Sequence, residues 1–424
     1  MYRQRILFVI QALDRSGAEK QLALLASNLP RSEFDVEVAV LTRGGEFEFD
    51  LLSAGVRYHL IGKRFKIDPF AFFRLKRIMR QFQPDIVHTW LFAGNSYGRL
   101  AAILCGVKGI IAGERCVDLW KSGYQFLIDK FLGRWTDFIV TNSCGVKDFY
   151  AQHGLPPEKF VIIPNAVITP ENNFSNNNND NNNNNSGGGI IPFSREEFLC
   201  RLGVNDSAPV GGYVPVNNPD YDFDRETYFS VSNESLLRRQ PYIIGIVSRL
   251  WAQKRVTDAL WVFESLRFLD LHFHAVVIGD GPERDMLLRY RDEWGLSDCV
   301  HFLGHCNNVI QMIPNFDLLL NFSAYEGQSN SILEAMSFGV PVIATDIPGN
   351  NELVVNGETG ILIPDTGNDF RKLRRNFVRE ILTLLENEQL RTKMGIAAKK
   401  RVTEHFNLKK MIEQHITLYN SLNK

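Results

Sequence analysis

Asp317-Leu-Leu-Leu-Asn-Phe-Ser323, Ala324-Tyr325-Glu326-Gly327-Gln328-Ser329-Asn330-Ser331 and Ile332-Leu-Glu334-Ala-Met-Ser-Phe-Gly339 follow one another without interruption. The first piece is an apolar run of strand length. The last has Ile332, Leu333, Met336 and Phe338 at helical spacing, with Gly339 as a natural stop. The middle piece is therefore a strand-to-helix turn. Such a turn aims free N–H groups and the positive end of the helix dipole at whatever sits above it, which makes it an anion site. Gly327 lets a ligand approach the backbone, and Ser329, Asn330 or Ser331 can cap the helix while offering donors. A phosphate fits these requirements.

Glu326 lies at the mouth of this turn and Glu334 about one turn down the helix. A carboxylate can accept two hydrogen bonds from adjacent hydroxyls, so the pair reads as sugar binding on both sides of a phosphate. The spacing by itself also fits a solvated loop acid and a helix-surface acid.

Glu326-Gly327 through Leu333-Glu334-Ala335-Met336, followed by Gly339-Val-Pro341-Val-Ile-Ala-Thr-Asp346, resembles the glutamate-x7-glutamate block of the family 4 glycosyltransferases. The resemblance implies a GT-B fold: α/β, with two Rossmann-like doubly wound domains facing across a cleft. It also implies a retaining, metal-independent transfer of sugar from a nucleotide sugar.

The 424 residues, 45% of them hydrophobic, allow a sizeable core and favour two domains. Lys plus Arg number 47 against 48 Asp plus Glu, a balance that argues against a nucleic-acid binder. Cys105, Cys116, Cys144, Cys200, Cys299 and Cys306 show no metal-binding or disulfide pattern and read as reduced thiols. No signal peptide opens the chain and no apolar run reaches the ~18 residues of a membrane span. The expected location is cytoplasmic, with contact at the inner face of the membrane as an addition.

Arg5-Ile-Leu-Phe-Val-Ile10 is a buried-type strand, 14–17 a turn and 18–28 an amphipathic helix. Strands recur at 35–41, 56–61, 85–90, 108–112, 137–141 and 160–163 with helical patterns between most of them, which predicts a parallel, doubly wound sheet. Ser16-Gly17-Ala18-Glu19 resembles the family's Gly-Gly-Ala-Glu loop, with Ser16 in place of the first glycine. Pro84-Asp85-Ile-Val-His88 brings a histidine near a strand's carboxyl end. The resemblance has His88 face the transferred sugar, and a packed core histidine is the other reading. Gly113-Glu114-Arg115 stands where many relatives carry a further histidine.

Between Lys63 and Arg80 seven basic residues and one acid, Asp68, interleave with Phe65, Phe70, Phe72 and Phe73. This is the composition of a membrane-surface segment, and equally of an ordinary helix with its Phe face in the core.

Pro164-Asn165-Ala166-Val167 resembles the Pro-Asn-Gly-Val that closes the family's N-terminal domain. Residues 172–185 are almost all Asn and Gly187-Gly-Gly189 follows, a composition that buries no core and reads as a flexible insertion. Asp220-Tyr-Asp222-Phe-Asp224 offers a D-x-D pattern, but in an irregular linker that suits solvated acids.

Tyr242-Ile-Ile-Gly-Ile-Val-Ser248-Arg249-Leu250 opens the second domain, with Lys254 five residues after Arg249. In the family this arginine and lysine clamp the donor's diphosphate, one as a fork and the other as a point charge. Ala275-Val-Val-Ile-Gly279-Asp-Gly281-Pro282 lacks the rest of the dinucleotide fingerprint and reads as a turn.

The expected organisation is an acceptor-binding domain over 1–168, a linker over 169–240, a nucleotide-sugar-binding domain over 241–405 and a terminal helix over 406–424 that crosses back. The resemblance gives catalytic roles to Arg249, Lys254, Glu326 and His88. It gives donor binding to Ser16, Gly17, Gly327, Gln328, Ser329, Asn330, Ser331 and Glu334. It implies no cofactor and no metal: the substrates are a UDP- or GDP-linked sugar and a glycan or lipid-linked acceptor. A GT-B sugar-nucleotide epimerase and a silent sugar-nucleotide-binding protein are the alternatives.

Overall fold

The computed structural model describes residues 3–14, 16–169, 191–204, 240–367 and 369–422. The Asn-rich stretch and the three linker aspartates lie outside the described residues. The chain divides into two compact units: Met1–Ala166 with Glu326–Asn330 and Phe406–Lys424, and Val167–Tyr325 with Ser331–His405.

The first unit is built on seven parallel strands: β1 (Gln4–Ala12), β2 (Phe34–Arg43), β3 (Arg57–Leu60), β4 (Ile86–Trp90), β5 (Gly109–Glu114), β6 (Phe138–Thr141) and β7 (Phe160–Ile162). They lie in the order β3-β2-β1-β4-β5-β6-β7. Because helices cover both faces of a parallel sheet, its strands read as near-continuous apolar runs, and Ile6 through Ile10 of β1 are fully buried. Local signals set the helix starts. Asp68 caps the helix Pro69–Phe82 by accepting from the Ala71 N–H at 2.9 Å, with proline in the first turn. Ser143 does the same for Cys144–Gln152. The terminal helix Leu408–Ser421 belongs to this unit, and its Met411, Leu418 and Tyr419 join Ile6, Phe8 and Phe34 in one core.

The second unit carries six parallel strands: β8 (Tyr242–Val247), β9 (Phe273–Ile278), β10 (Val300–Gly304), β11 (Leu318–Asn321), β12 (Val342–Asp346) and β13 (Gly360–Pro364). Their order is β10-β9-β8-β11-β12-β13. Counted within the unit this is 3-2-1-4-5-6, the doubly wound order whose ligand crevice opens where the winding reverses, outside the carboxyl ends of β8 and β11. Gly245 permits the close seating of these strands, because a Cβ there would stand 2.1 Å from the Phe316 ring. The helix Arg195–Arg201 packs here too: Arg195 binds Asp317 at 2.7 Å and Phe198 meets Phe316.

Candidate functional site

The reversal point of the second unit gathers residues 248–255 after β8 and 322–325 after β11. Ala324 donates its N–H to the Gln253 carbonyl at 2.9 Å, and the Gln253 amide donates to the Tyr325 carbonyl at 2.8 Å, so the two loops are held side by side. Arg249 is exposed, with its guanidinium 5.5 Å from the centre of the Trp251 ring, and Lys254 is half-buried. The clamp residues therefore stand on one short loop at the crevice.

That loop is positioned from the β9 side. Ser248 N–H donates to Ile278 O at 3.0 Å and Leu250 N–H to Asp280 O at 2.9 Å, which brackets Arg249 with backbone bonds. Such closeness needs glycine: a Cβ on Gly281 would stand 2.4 Å from the Leu250 oxygen. The Gly279-Asp-Gly281 turn thus serves as the seat of Arg249. Arg255 holds a left-handed φ of 53° and binds the buried Asp258 at 2.7 Å, which Arg374 binds from its other oxygen at the same distance.

The β11 end is fixed by a buried polar cluster. Thr345 donates to the Ser323 carbonyl at 2.6 Å, and the Asn350 amide bridges Asn321 Oδ1 and the Thr345 carbonyl. From there the chain runs into the helix Asn330–Ser337, on which Glu334 is 9% exposed. Glu326 is 7% exposed. Neither carboxylate is the solvated acid that spacing alone allowed, and a buried carboxylate is retained only with partners.

Glu326–Asn330 groups with the first unit and is tightly bonded there. Gln328 Oε1 accepts from the Asn165 N–H at 2.8 Å. Asn330 Oδ1 accepts from the Asn165 amide at 2.9 Å, and its own amide donates to Gly17 O at 3.2 Å. Asn165 is itself held by Arg115 at 3.0 Å. Two of the residues expected to bind the sugar donor, Gln328 and Asn330, thus make bonds within the protein. Gly327 is required here, since a Cβ would stand 2.0 Å from the Arg115 carbonyl. Ser16 precedes the helix Gly17–Asn28 and bonds to Glu19, while Gly17 is exposed.

His88 corrects an expectation. It is fully buried, its Nδ1 meets the Tyr419 hydroxyl at 2.9 Å, and its ring lies among Phe8, Trp90 and His415. Burial and the neighbouring His415 and Arg115 hold its pKa well below the ordinary value, so it is neutral. It is the packed core histidine; no open face is left for a sugar.

At the carboxyl end of β5, Glu114 has no role legible from the sequence, and the structure shows a buried charge network around it. Lys121 reaches Glu114 at 3.2 Å, Asp129 at 3.1 Å and the Tyr150 hydroxyl at 2.8 Å, and Arg99 pairs with Asp129. Burial pushes the Glu114 carboxyl up from 4.5 to about 7 against the pull of Lys121. Among the described residues no group of three or more His, Cys, Asp or Glu side chains forms a metal cluster.

Comparison with known proteins gives concordant matches. Residues 230–401 match the family model of glycosyl transferases group 1, and residues 15–170 that of glycosyltransferase family 4. The chain is 30% identical over 207 residues to N-acetyl-alpha-D-glucosaminyl L-malate synthase of Bacillus anthracis, covering 47% of this chain and 52% of that one. It is 28% identical over 209 residues to the poly(ribitol-phosphate) alpha-N-acetylglucosaminyltransferase of Staphylococcus aureus (strain COL), covering 47% and 41%. The matches thus span about half the length of these curated relatives or less. Among solved structures, Anabaena HepE in complex with UDP-glucose superposes with a TM-score of 0.76 at 18% identity, covering 99% of this chain and 100% of that one. Sucrose-phosphate synthase from Thermosynechococcus elongatus superposes with a TM-score of 0.70 at 14% identity, covering 99% of each. At these identities the structural likeness speaks for the GT-B fold.

Proposed function

We propose that this chain, which belongs to the group 1 glycosyltransferases of family 4, moves a sugar from a nucleotide-sugar donor to a hydroxyl of a glycan or lipid-linked acceptor. The setting is polysaccharide, lipopolysaccharide or glycolipid synthesis. The observation that carries the reading is the pairing of the Arg249 and Lys254 loop with the β11 loop at the reversal point, through Gln253. Two cations and a helix N-terminus beside one crevice suit a diphosphate whose charge grows as the sugar departs.

In this reading Arg249 grips the diphosphate as a fork and Lys254 as a point charge. Glu334 accepts from the ribose hydroxyls, and Glu326 orients the donor sugar. Gly327, Ser329 and Ser331 are assigned to the phosphates, while Gln328 and Asn330 bind Asn165 and Gly17. Transfer proceeds with retention: the leaving diphosphate deprotonates the incoming hydroxyl on the face it vacates. His88 packs the terminal helix instead of touching sugar. The domain over 241–405 takes the donor and that over 1–168 the acceptor. UDP is the nucleotide to try first, because HepE was solved with UDP and with UDP-glucose.

The test is to incubate the protein with UDP- and GDP-sugars and hydroxyl acceptors, and to read product mass and anomeric configuration. A glycosylated acceptor of retained configuration is expected. Release of an epimerised nucleotide sugar, or binding without turnover, would overturn the reading.

A further inference from the structure

The helix Gly123–Gly133 is partly inverted. Its inward positions hold Gln125 and Asp129 beside Phe126 and Leu132, all buried, while Tyr124, Leu127 and Phe131 on the outward side are 59%, 65% and 52% exposed. The stripe recurs at intervals of three and four residues, which places it along one face of the helix. Leu119 and Trp120 before the helix and Trp135 after it extend it, each exposed. Single exposed apolar residues are ordinary, but a continuous row of aromatic and aliphatic side chains marks a contact surface.

The inversion has a structural cause. Asp129 is bound by Arg99 and by Lys121, and Lys121 also meets Glu114 and Tyr150, so the polar side of the helix is satisfied in the interior. The helix is thereby docked by charge as well as by Phe126 and Leu132, and Tyr124, Leu127 and Phe131 are left facing outward.

The surrounding charge identifies the partner. The helices Pro69–Phe82, Leu91–Cys105 and Gly123–Gly133 pack side by side in the first unit. Residues 63–135 hold five acids, of which Asp68, Glu114, Asp118 and Asp129 are buried and Asp85 is half-buried. Of the cations of the same stretch, Arg99, Arg115 and Lys121 are buried, whereas Arg64, Lys66, Arg77, Lys108, Lys130 and Arg134 are exposed. Phe65, Ile67, Phe70 and Phe73 are exposed among them, which shows that the Phe side expected to face the core is turned largely to solvent. In a chain of net charge −1, this unit has a face of cations and apolar side chains with no exposed acid in the stretch that forms it.

We infer that this face, led by the outward stripe of the helix Gly123–Gly133, docks on an anionic lipid bilayer. The apolar row enters the headgroup boundary, Trp120 and Trp135 sit at the interface level, and the lysines and arginines meet lipid phosphates. The inference stands apart from the transferase reading, because it concerns binding and not turnover.

Vesicles of phosphatidylglycerol in phosphatidylcholine test it with the full chain. Wild type sediments with them, its tryptophan emission shifts to the blue and is quenched by brominated acyl chains, and added salt weakens binding. The double variant Leu127→Glu, Phe131→Glu leaves the buried ion network intact, keeps its melting temperature, and partitions roughly tenfold less or weaker still. Equal sedimentation of variant and wild type overturns the inference, as does a wild type that ignores anionic vesicles or shows no quenching. A variant that only converts a wild-type dimer to monomer assigns the face to a second copy and overturns it too. Turnover on a soluble acceptor, unchanged in the variant, separates this outcome from failure of the transferase reading.

Discussion

The carbonyl oxygen of Ser248 fills the space beside Gly279: a Cβ on Gly279 would stand 1.9 Å from it. Gly279 also holds a φ of 135°, a conformation that side chains with a Cβ rarely adopt. Ser248 immediately precedes Arg249, so any side chain at 279 must move the backbone that carries the clamp. Gly279→Ala is therefore expected to cost about 1–3 kcal/mol of stability and to lower kcat by about two orders of magnitude, because small misplacements of a positioning group are felt strongly. Gly123→Ala, where nothing lies within 4 Å, is the matched control and should leave both unchanged. Thermal melts alongside turnover of the two variants decide the matter; equal behaviour would remove the seat proposed for Arg249.

The clamp itself is tested at its cations. Arg249→Ala and Lys254→Ala should each lower kcat by roughly two orders of magnitude or more, the scale of a lost electrostatic stabiliser. Arg249 is exposed, so its removal should leave the melting temperature nearly where it was. Steady-state kinetics with one nucleotide sugar suffices, and an unchanged kcat in both variants would exclude the assignment.

Much of the fold was legible because it rests on signals that are local. Apolar runs of strand length alternating with helical patterns are what a doubly wound sheet requires, and caps such as Asp68 sit where the sequence marks a helix start. The strand-turn-helix around Glu326 and Glu334 was legible for the same reason. What escaped was set by contacts distant in sequence. His88 is packed by Tyr419, 331 positions away, and Gln328 meets Asn165 across 163. The Gly279-Asp-Gly281 turn was visible as a turn, but only the nearness of Ser248 and Leu250 reveals its use. Composition left two readings open for 63–80, because which side of a helix is covered depends on its neighbours. The inner side of Gly123–Gly133 likewise combines Phe126 and Leu132 with ion pairs from Arg99 and Lys121 to Asp129, which no local pattern marks.

Glu114 gives a prediction in pH. Burial raises its carboxyl from 4.5 to about 7 in the folded protein. Between those values the folded state holds a proton that the unfolded state has released, so this group's contribution to stability falls as pH rises through the window. Glu114→Gln removes the titration while preserving the shape and a donor. The difference in melting temperature between Glu114→Gln and wild type should therefore grow in the variant's favour from pH 5 to pH 8. A difference that stays flat across the range would show that Glu114 is ionised throughout, held so by Lys121.

The last prediction is that turnover needs no divalent metal. A sugar nucleotide brings a diphosphate whose negative charge must be offset as the glycosidic bond breaks, and a hard cation held by carboxylates is one way to do it. The sequence offers the pattern for that in Asp220, Asp222 and Asp224. In the proposed reading, however, that charge is met at the reversal point of β8 and β11 by Arg249 and Lys254, whose loop is fixed by Gln253 and seated on Gly279 and Gly281. Preformed protein cations with a helix N-terminus do the same electrostatic work and need no ion to bind first. Turnover should accordingly persist almost fully in excess EDTA and in the Asp222→Ala, Asp224→Ala variant. Activity that the chelator abolishes and manganese or magnesium restores would transfer the diphosphate to a metal and reassign Arg249 and Lys254 to binding alone.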